Sequence, residues 1–131
     1  MDRTPKIPGP DHPLTIEPTG NRVVVRVQDV VVADTTAALT LREAGYPPVQ
    51  YIPMRDVDQS LLRPSATSSY CPYKGDATYF SVATPDGLIE DAIWAYEQPY
   101  PAVAEIAGRV AFYPHRVDIT VAGDTGSSPD R

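Results

Sequence analysis

Proline density constrains this chain more than any other feature. Fifteen of its 131 residues are proline, against an ordinary share of about 5%. A proline inside a helix removes a backbone donor and clashes with the preceding turn, so long helices are excluded. The stretches between the prolines are short apolar runs, and hydrophobic residues make up 42% of the chain. This combination predicts a mainly β fold of six to eight short strands with one to three short helices.

The domain organisation predicted from the sequence is simple, because the chain has the length of one ordinary domain. Residues 1–13 contain four prolines and little apolar material, which indicates a flexible N-terminal arm. Residues 122–131 are rich in Gly, Ser, Asp and Pro and indicate a flexible C-terminal tail. The body between them, residues 14–121, contains no repeat and no linker, so we expect a single β-rich domain there.

Two hairpins are visible in the body. In residues 22–27, every second residue is a valine on one face of an extended chain, and the other face carries two arginines and a valine. A turn at 28–29 leads into residues 30–32, which predicts two antiparallel strands. Residues 77–83 and 88–96 are typical of a second pair. The segment between them, Thr84-Pro85-Asp86-Gly87, is a turn sequence, because proline presets φ and glycine tolerates a positive φ.

Other segments are shorter or ambiguous. Residues 53–62 suit one short helix, and residues 101–107 suit one or two helical turns. Residues 37–43 fit either a helix or a strand, and the proline turn that follows them favours the strand. Residues 109–113 and 116–121 are expected to complete the sheet.

The charge balance excludes several classes of protein. Lys and Arg number 11 against 17 Asp and Glu, so the net charge is −6. A nucleic-acid surface needs clustered basic charge, so we expect no nucleic-acid partner. No apolar run approaches the length of a membrane span, and the first residues lack the apolar core of a signal peptide. We therefore expect a cytoplasmic protein without a membrane partner.

The densest group of reactive side chains lies in YCPYKGDA, residues 70–77. A rigid proline and a permissive glycine there brace the chain's sole cysteine, Cys71, together with Tyr73 and Lys74. A nearby cation favours the thiolate form of a cysteine, which is the nucleophilic form. Cys71, Tyr73 and Lys74 are therefore candidate catalytic residues. The alternative is a buried structural cysteine beside a solvated lysine.

The same segment does not predict a metal site. Lys74 stands where a CxxC motif would have its second cysteine, and a protonated lysine is a poor metal ligand. The chain has two histidines, of which His12 belongs to the arm and His115 to a loop. We expect no metal and no other cofactor, and we assign no role to His115.

Tyrosine outnumbers phenylalanine eight to two. Most of these rings belong in a core, but each buried hydroxyl needs a hydrogen-bond partner, so an apolar core has little use for so many. Rings with polar tips suit a small-molecule pocket. The predicted ligand-binding residues combine these rings with two cations: Tyr51, Tyr73, Lys74, Trp94, Tyr96, Tyr113 and Arg42.

The segment CPYKGDATYFSV, residues 71–82, resembles the domain of unknown function 427 family of small bacterial and fungal proteins, with its CPYKGxAxY signature. Other segments between about residues 22 and 119 also resemble it. Phe80 stands where the family often has Trp, and His115 where it often has another polar residue. The resemblance implies a compact, tent-like fold of two antiparallel sheets meeting at an angle.

Three functions stay open. The first is a binding module that holds a small aromatic or anionic ligand beside the Cys71–Gly75 loop. The second is a small cofactor-independent enzyme using that pocket. Some labels of the family suggest nucleotidyl transfer, although the sequence has no phosphate-binding glycine loop to support it. The third is a structural or protein-interaction domain. Short exposed strand edges also allow a homodimer.

Overall fold

The computed structural model describes residues 5–122. Within them the chain forms ten strands and three short 3₁₀ turns. The strands are β1 (Leu14–Pro18), β2 (Val23–Val27), β3 (Val30–Thr35), β4 (Leu39–Glu43), β5 (Val49–Pro53), β6 (Leu62–Cys71), β7 (Gly75–Thr84), β8 (Gly87–Ala95), β9 (Arg109–Phe112) and β10 (Asp118–Val121). The 3₁₀ turns span Met54–Asp56, Gln59–Leu61 and Pro101–Ile106.

The strands form two antiparallel sheets. Seven of them lie in the order β1-β4-β5-β9-β8-β7-β6, and the other three lie in the order β10-β2-β3. Both predicted hairpins are present, with β2 paired to β3 and β7 paired to β8. The predicted mainly β class with two antiparallel sheets and short helical turns is confirmed. In the described part of the chain, no helix has the length and apolarity needed to cross a membrane.

One face of the seven-stranded sheet packs against the three-stranded sheet, and we call it the aliphatic face. Val23 and Val25 of β2 are fully buried there, together with Ile52 of β5, Ile93 of β8 and Val110 of β9. Burying each such side chain contributes about 1.5–3 kcal/mol. This face therefore supplies the main hydrophobic core of the domain.

The opposite face of the same sheet carries larger and more polar side chains, and we call it the aromatic face. Successive side chains of a strand point to opposite sides of a sheet. Tyr51 and Trp94 therefore lie on this face, although their chain neighbours belong to the aliphatic one. A second cluster of buried residues forms here, with Val103 and Ile106 of the third 3₁₀ turn packed against part of it.

The single helix predicted over residues 53–62 is wrong. Two separate 3₁₀ turns stand in its place. The chain between them is tied to β3, because Val57 bridges to Ala33 and the Asp58 N–H donates to the carbonyl of Val32 at 2.7 Å. The Asp58 side chain then caps the second turn by accepting from the Ser60 N–H. These contacts hold the backbone extended at its centre.

The ambiguous residues 37–43 form a strand, β4, rather than a helix. Strands β1 and β6 were not predicted from the sequence. Strand β6 contains a proline and is mostly polar, because it lies at the edge of the sheet and exposes most of its side chains. Edge strands accept proline, since one side of the backbone needs no partner.

The described part of the predicted arm contacts the body. The Lys6 N–H donates to the carbonyl of Pro72 at 2.9 Å, and Gly9 and His12 form an isolated bridge. The flexibility of the arm stays a prediction. Residues 1–4 and 123–131 lie outside the described residues, and they include almost all of the predicted C-terminal tail.

Candidate functional site

A cavity of about 370 Å³ opens on the aromatic face of the seven-stranded sheet. This volume lies within the range of small-molecule pockets. Its walls come from β4, β5, β7 and β8 and from the turns beside them, and most of the lining is apolar or aromatic. The lining residues are Leu41, Glu43, Tyr46, Pro47, Pro48, Val49, Tyr51, Lys74, Tyr79, Trp94, Tyr96, Tyr113 and Pro114. We call it the aromatic cavity.

A tight hairpin turn between β6 and β7 positions the one lysine of this cavity. The Lys74 N–H donates to the carbonyl of Cys71 at 3.2 Å, and Pro72 occupies the second position of that turn. Gly75 follows with a φ of +110°, which side-chain-bearing residues rarely adopt. The carbonyl of Lys74 accepts from the Tyr100 N–H at 3.0 Å. The backbone of Lys74 is thus fixed from both sides.

The side chain of Lys74 is 10% exposed and forms an ion pair with Glu43, whose side chain is 12% exposed. Lys74 Nζ donates to Glu43 Oε1 at 2.6 Å, and it lies 5.8 Å from the centre of the Tyr96 ring. The other carboxylate oxygen, Oε2, lies 2.6 Å from His12 Nε2. Glu43 therefore links an ammonium in the cavity to an imidazole from the N-terminal segment.

Glu43 is held as a carboxylate by these two partners. Burial by itself would raise the pKa of its carboxyl group. Hydrogen bonds from Lys74 and His12, together with their charges, outweigh burial and leave the pKa of Glu43 below its ordinary value. The carboxylate of Glu43 therefore stays charged at neutral pH, beside the side chain of Lys74.

The aromatic wall is held together by contacts between its rings. Trp94 Nε1 donates to Tyr51 Oη at 3.1 Å, and the two rings meet edge to face. The Tyr113 ring lies 4.4 Å from Trp94, centre to centre. Burial raises the pKa of Tyr51 and of Tyr96 far above the ordinary value, and burial with hydrogen bonding to Tyr79 raises the pKa of Tyr113 to about 12. These hydroxyls stay neutral near pH 7.

A family model described as a domain of unknown function, DUF427, matches residues 15–123. The chain belongs to the DUF427 family. This confirms the family predicted from the sequence. The match includes all residues that line the aromatic cavity, whereas His12 lies before it. No curated protein matches the chain.

Five of the predicted ligand-binding residues of this DUF427 domain lie around one cavity. Tyr51, Lys74, Trp94, Tyr96 and Tyr113 all line it. They come from β5, from the turn before β7, from the end of β8 and from the residue after β9. The structure therefore brings together side chains that are up to 62 residues apart in the chain.

The other predicted site residues lie elsewhere in the DUF427 domain. Cys71 packs against the second buried cluster and does not line the cavity. The Tyr73 ring stacks on His12, with 4.0 Å between their centres. Arg42 is exposed and contacts Glu17. Placement in the cavity thus favours Lys74 over Cys71 and Tyr73 as the group that would meet a ligand.

Sequence reasoning missed Glu43, Tyr46, Tyr79 and His12. Glu43 follows Leu41 by two residues in β4, so the two side chains share a face of the strand and line the cavity together. His12 lies 31 residues from Glu43, and no local pattern indicates their contact. Among residues 5–122, no three His, Cys, Asp or Glu side chains gather in a group that could hold a metal ion.

Proposed function

We propose that this DUF427 domain binds a small planar aromatic molecule in the aromatic cavity, with a carboxylate or carbonyl oxygen of the ligand directed at Lys74. The observation that carries the proposal is a lysine with a 10% exposed side chain in the wall of a cavity whose remaining lining is mainly aromatic rings and prolines. Apolar walls with a few convergent polar groups are the usual composition of a ligand pocket.

The rings and prolines favour a flat ligand. Tyr46, Trp94 and Tyr113 offer aromatic surfaces, and Pro47 and Pro48 add rigid apolar ones. Aromatic pairs contribute about 0.5–1.5 kcal/mol beyond the area that they bury. Because tyrosine and proline lose little conformational freedom on binding, such walls bind at a low entropic cost.

Lys74 favours an acceptor group on that ligand. Its ammonium carries three N–H donors, and within residues 5–122 Glu43 accepts its one side-chain hydrogen bond. The remaining donors are free to meet a ligand oxygen in a place where much of the water is excluded, and a charge-assisted hydrogen bond is strong there. Glu43 fixes the direction of the ammonium and balances its charge.

The test is a thermal-shift and ligand-observed NMR screen in which matched aromatic compounds differ in one group. We expect benzoates and hydroxybenzoates to raise the melting temperature, and benzyl alcohols of the same size to bind more weakly. Tyr46→Ala removes an exposed wall of the cavity, so it should weaken binding at least tenfold and reduce the shift in a folded protein. A screen in which no aromatic compound raises the melting temperature would overturn the proposal.

A second candidate function is acid–base catalysis on the bound molecule. The chain of contacts from His12 through Glu43 to Lys74 favours it, because a carboxylate that orients a cationic group is a common catalytic arrangement. Lys74→Arg keeps the positive charge but cannot give up a proton near neutral pH. If Lys74→Arg still binds the molecule but no longer converts it, catalysis by Lys74 is supported. Equal turnover in Lys74→Arg and in the natural protein would reject it.

A further inference from the structure

A second concave surface of about 310 Å³ lies next to the aromatic cavity, and Pro114 lines both. It forms where the β2–β3 turn meets the segment between β9 and β10. Arg26, Gln28, His115 and Arg116 contribute its polar lining, together with Asp118. We call it the basic cleft.

The charge of this cleft is opposite to that of the chain. The chain has a net charge of −6, yet two guanidinium groups and an imidazole meet here, with Asp118 the one carboxylate among the described lining residues. Most exposed cations of an acidic protein are expected to be scattered among carboxylates. A local excess of positive charge therefore marks a place where an anion would be attracted.

The two arginines also lack a directly bonded partner in the described part of the chain. Arg22 binds Asp34 and Arg42 binds Glu17 through their guanidinium groups. Within residues 5–122, by contrast, neither Arg26 nor Arg116 has a direct ion pair or a side-chain hydrogen bond, and their charges act only from a longer distance on Asp34 and Asp91, whose pKa values they help to lower. Arg26 lies directly opposite Asp118 in the β2–β10 register, yet the two side chains do not pair. Both arginines are exposed.

The backbone that carries these side chains is anchored to the core. Val27 and Val117, the neighbours of Arg26 and Arg116, are 4% and 7% exposed and anchor both segments in the core. The N–H groups of Arg116 and Val117 both donate to the carbonyl of Tyr113. The pairing of β2 with β3 also shifts register at Arg26, and such β-bulges redirect a side chain.

We propose that the basic cleft binds a phosphate-class dianion. Two guanidinium groups and an imidazole offer donors to several oxygens at once, and guanidinium groups match phosphate geometry in pairs. A doubly charged anion with three or more acceptor oxygens uses that donor set, whereas a monovalent carboxylate uses only part of it. This site is independent of the ligand proposed for the aromatic cavity.

An amide NMR titration of the full chain with inorganic phosphate at constant pH and ionic strength tests this site. We expect saturable shifts at Gln28, His115 and Arg116, no shifts at Lys74, and at least tenfold weaker binding after Arg116→Gln or Arg26→Gln. Arg55→Gln removes an exposed arginine outside the cleft and should leave the binding constant unchanged.

Three results would overturn the proposal. They are shifts that grow linearly without saturation, equal shifts with acetate at the same ionic strength, and an unchanged binding constant in Arg116→Gln. The spectra of the variants report whether they are folded, so loss of binding is separable from loss of structure. The titration observes residues of the basic cleft, which is a separate site. A failure to find aromatic ligands for the aromatic cavity would therefore not change its outcome.

Discussion

The two faces of the seven-stranded sheet come from the same strands and yet have different compositions. On the aliphatic face, Ile52, Ile93 and Val110 are fully buried against the three-stranded sheet. On the aromatic face, Tyr51 and Trp94 are joined by a hydrogen bond at the wall of a cavity. Neighbouring positions in one strand thus serve stability on one side and a candidate site on the other.

The difference explains the tyrosine content of the chain. A filled core gains from aliphatic side chains, which bury no polar atom. A concave face needs large rigid rings, and their hydroxyls must find partners. Tyr51 accepts from Trp94, and Tyr79 bonds Ser69 at 2.9 Å. The hydroxyl groups therefore support the shape of the cavity wall.

The largest loss of stability is expected from a substitution that creates a cavity in the core on the aliphatic face. Ile93→Ala removes a fully buried side chain and should lower the free energy of unfolding by about 2–5 kcal/mol. Urea unfolding followed by circular dichroism measures this loss. A change below about 1 kcal/mol would show that this face is not the main core.

A smaller loss in the free energy of unfolding is expected on the aromatic face, when an ion pair rather than core packing is removed. Lys74→Met keeps the length of the side chain but leaves the Glu43 carboxylate without its ammonium. We expect about 1.5–3 kcal/mol of destabilisation, the usual range for a hydrogen bond to a charged group. The double variant with Glu43→Gln should recover part of the loss, and a purely additive double-mutant cycle would contradict the coupling.

The smallest expected effect is the change with pH in the contribution of Glu43 to the free energy of unfolding. The pKa of Glu43 is lower in the folded chain than its ordinary value of 4.5. Its contribution to stability is therefore fully present above pH 4.5 and is lost as the pH falls through the folded pKa.

The stability difference between the natural protein and Glu43→Gln should consequently shrink as the pH falls from 6 to 3 in urea-unfolding series. Asp34 and Asp91 also have lowered pKa values, but both proteins contain them, so they cancel in the difference. A difference that stays constant with pH would mean that Lys74 and His12 do not stabilise the charged carboxylate.

The sequence was informative where the fold follows a local pattern. The valines at every second position of β2 and the turn sequence at residues 84–87 predicted both hairpins. The excess of tyrosine over phenylalanine suggested a pocket lined by rings, and the fold brings five of the predicted residues to one cavity. The two 3₁₀ turns in place of a helix at 53–62 depend on contacts with β3, which no local pattern contains.

The positions of the predicted site residues relative to the cavity have a similar cause. Arg42 and Glu43 are neighbours in β4, and a shift of one position moves a side chain to the other face of a sheet. Arg42 therefore lies on the solvent side of β4, where it contacts Glu17. Tyr73 and Lys74 diverge in the same way at a turn, and His12 reaches Glu43 only through the tertiary fold.

We propose that the aromatic face binds a ligand, whereas the aliphatic face is a core. Trp94, the chain's sole tryptophan, reports on that face directly. A fluorescence titration with hydroxybenzoates, comparing the natural protein with Tyr46→Ala, is the most direct test. Because Tyr46 is 66% exposed, its loss should change the free energy of unfolding by less than about 0.5 kcal/mol.

We expect a saturable change in Trp94 fluorescence in the natural protein and at least tenfold weaker binding in Tyr46→Ala at unchanged stability. A linear, unsaturable response that is the same in both proteins would contradict the proposal and leave the aromatic face as a second structural core.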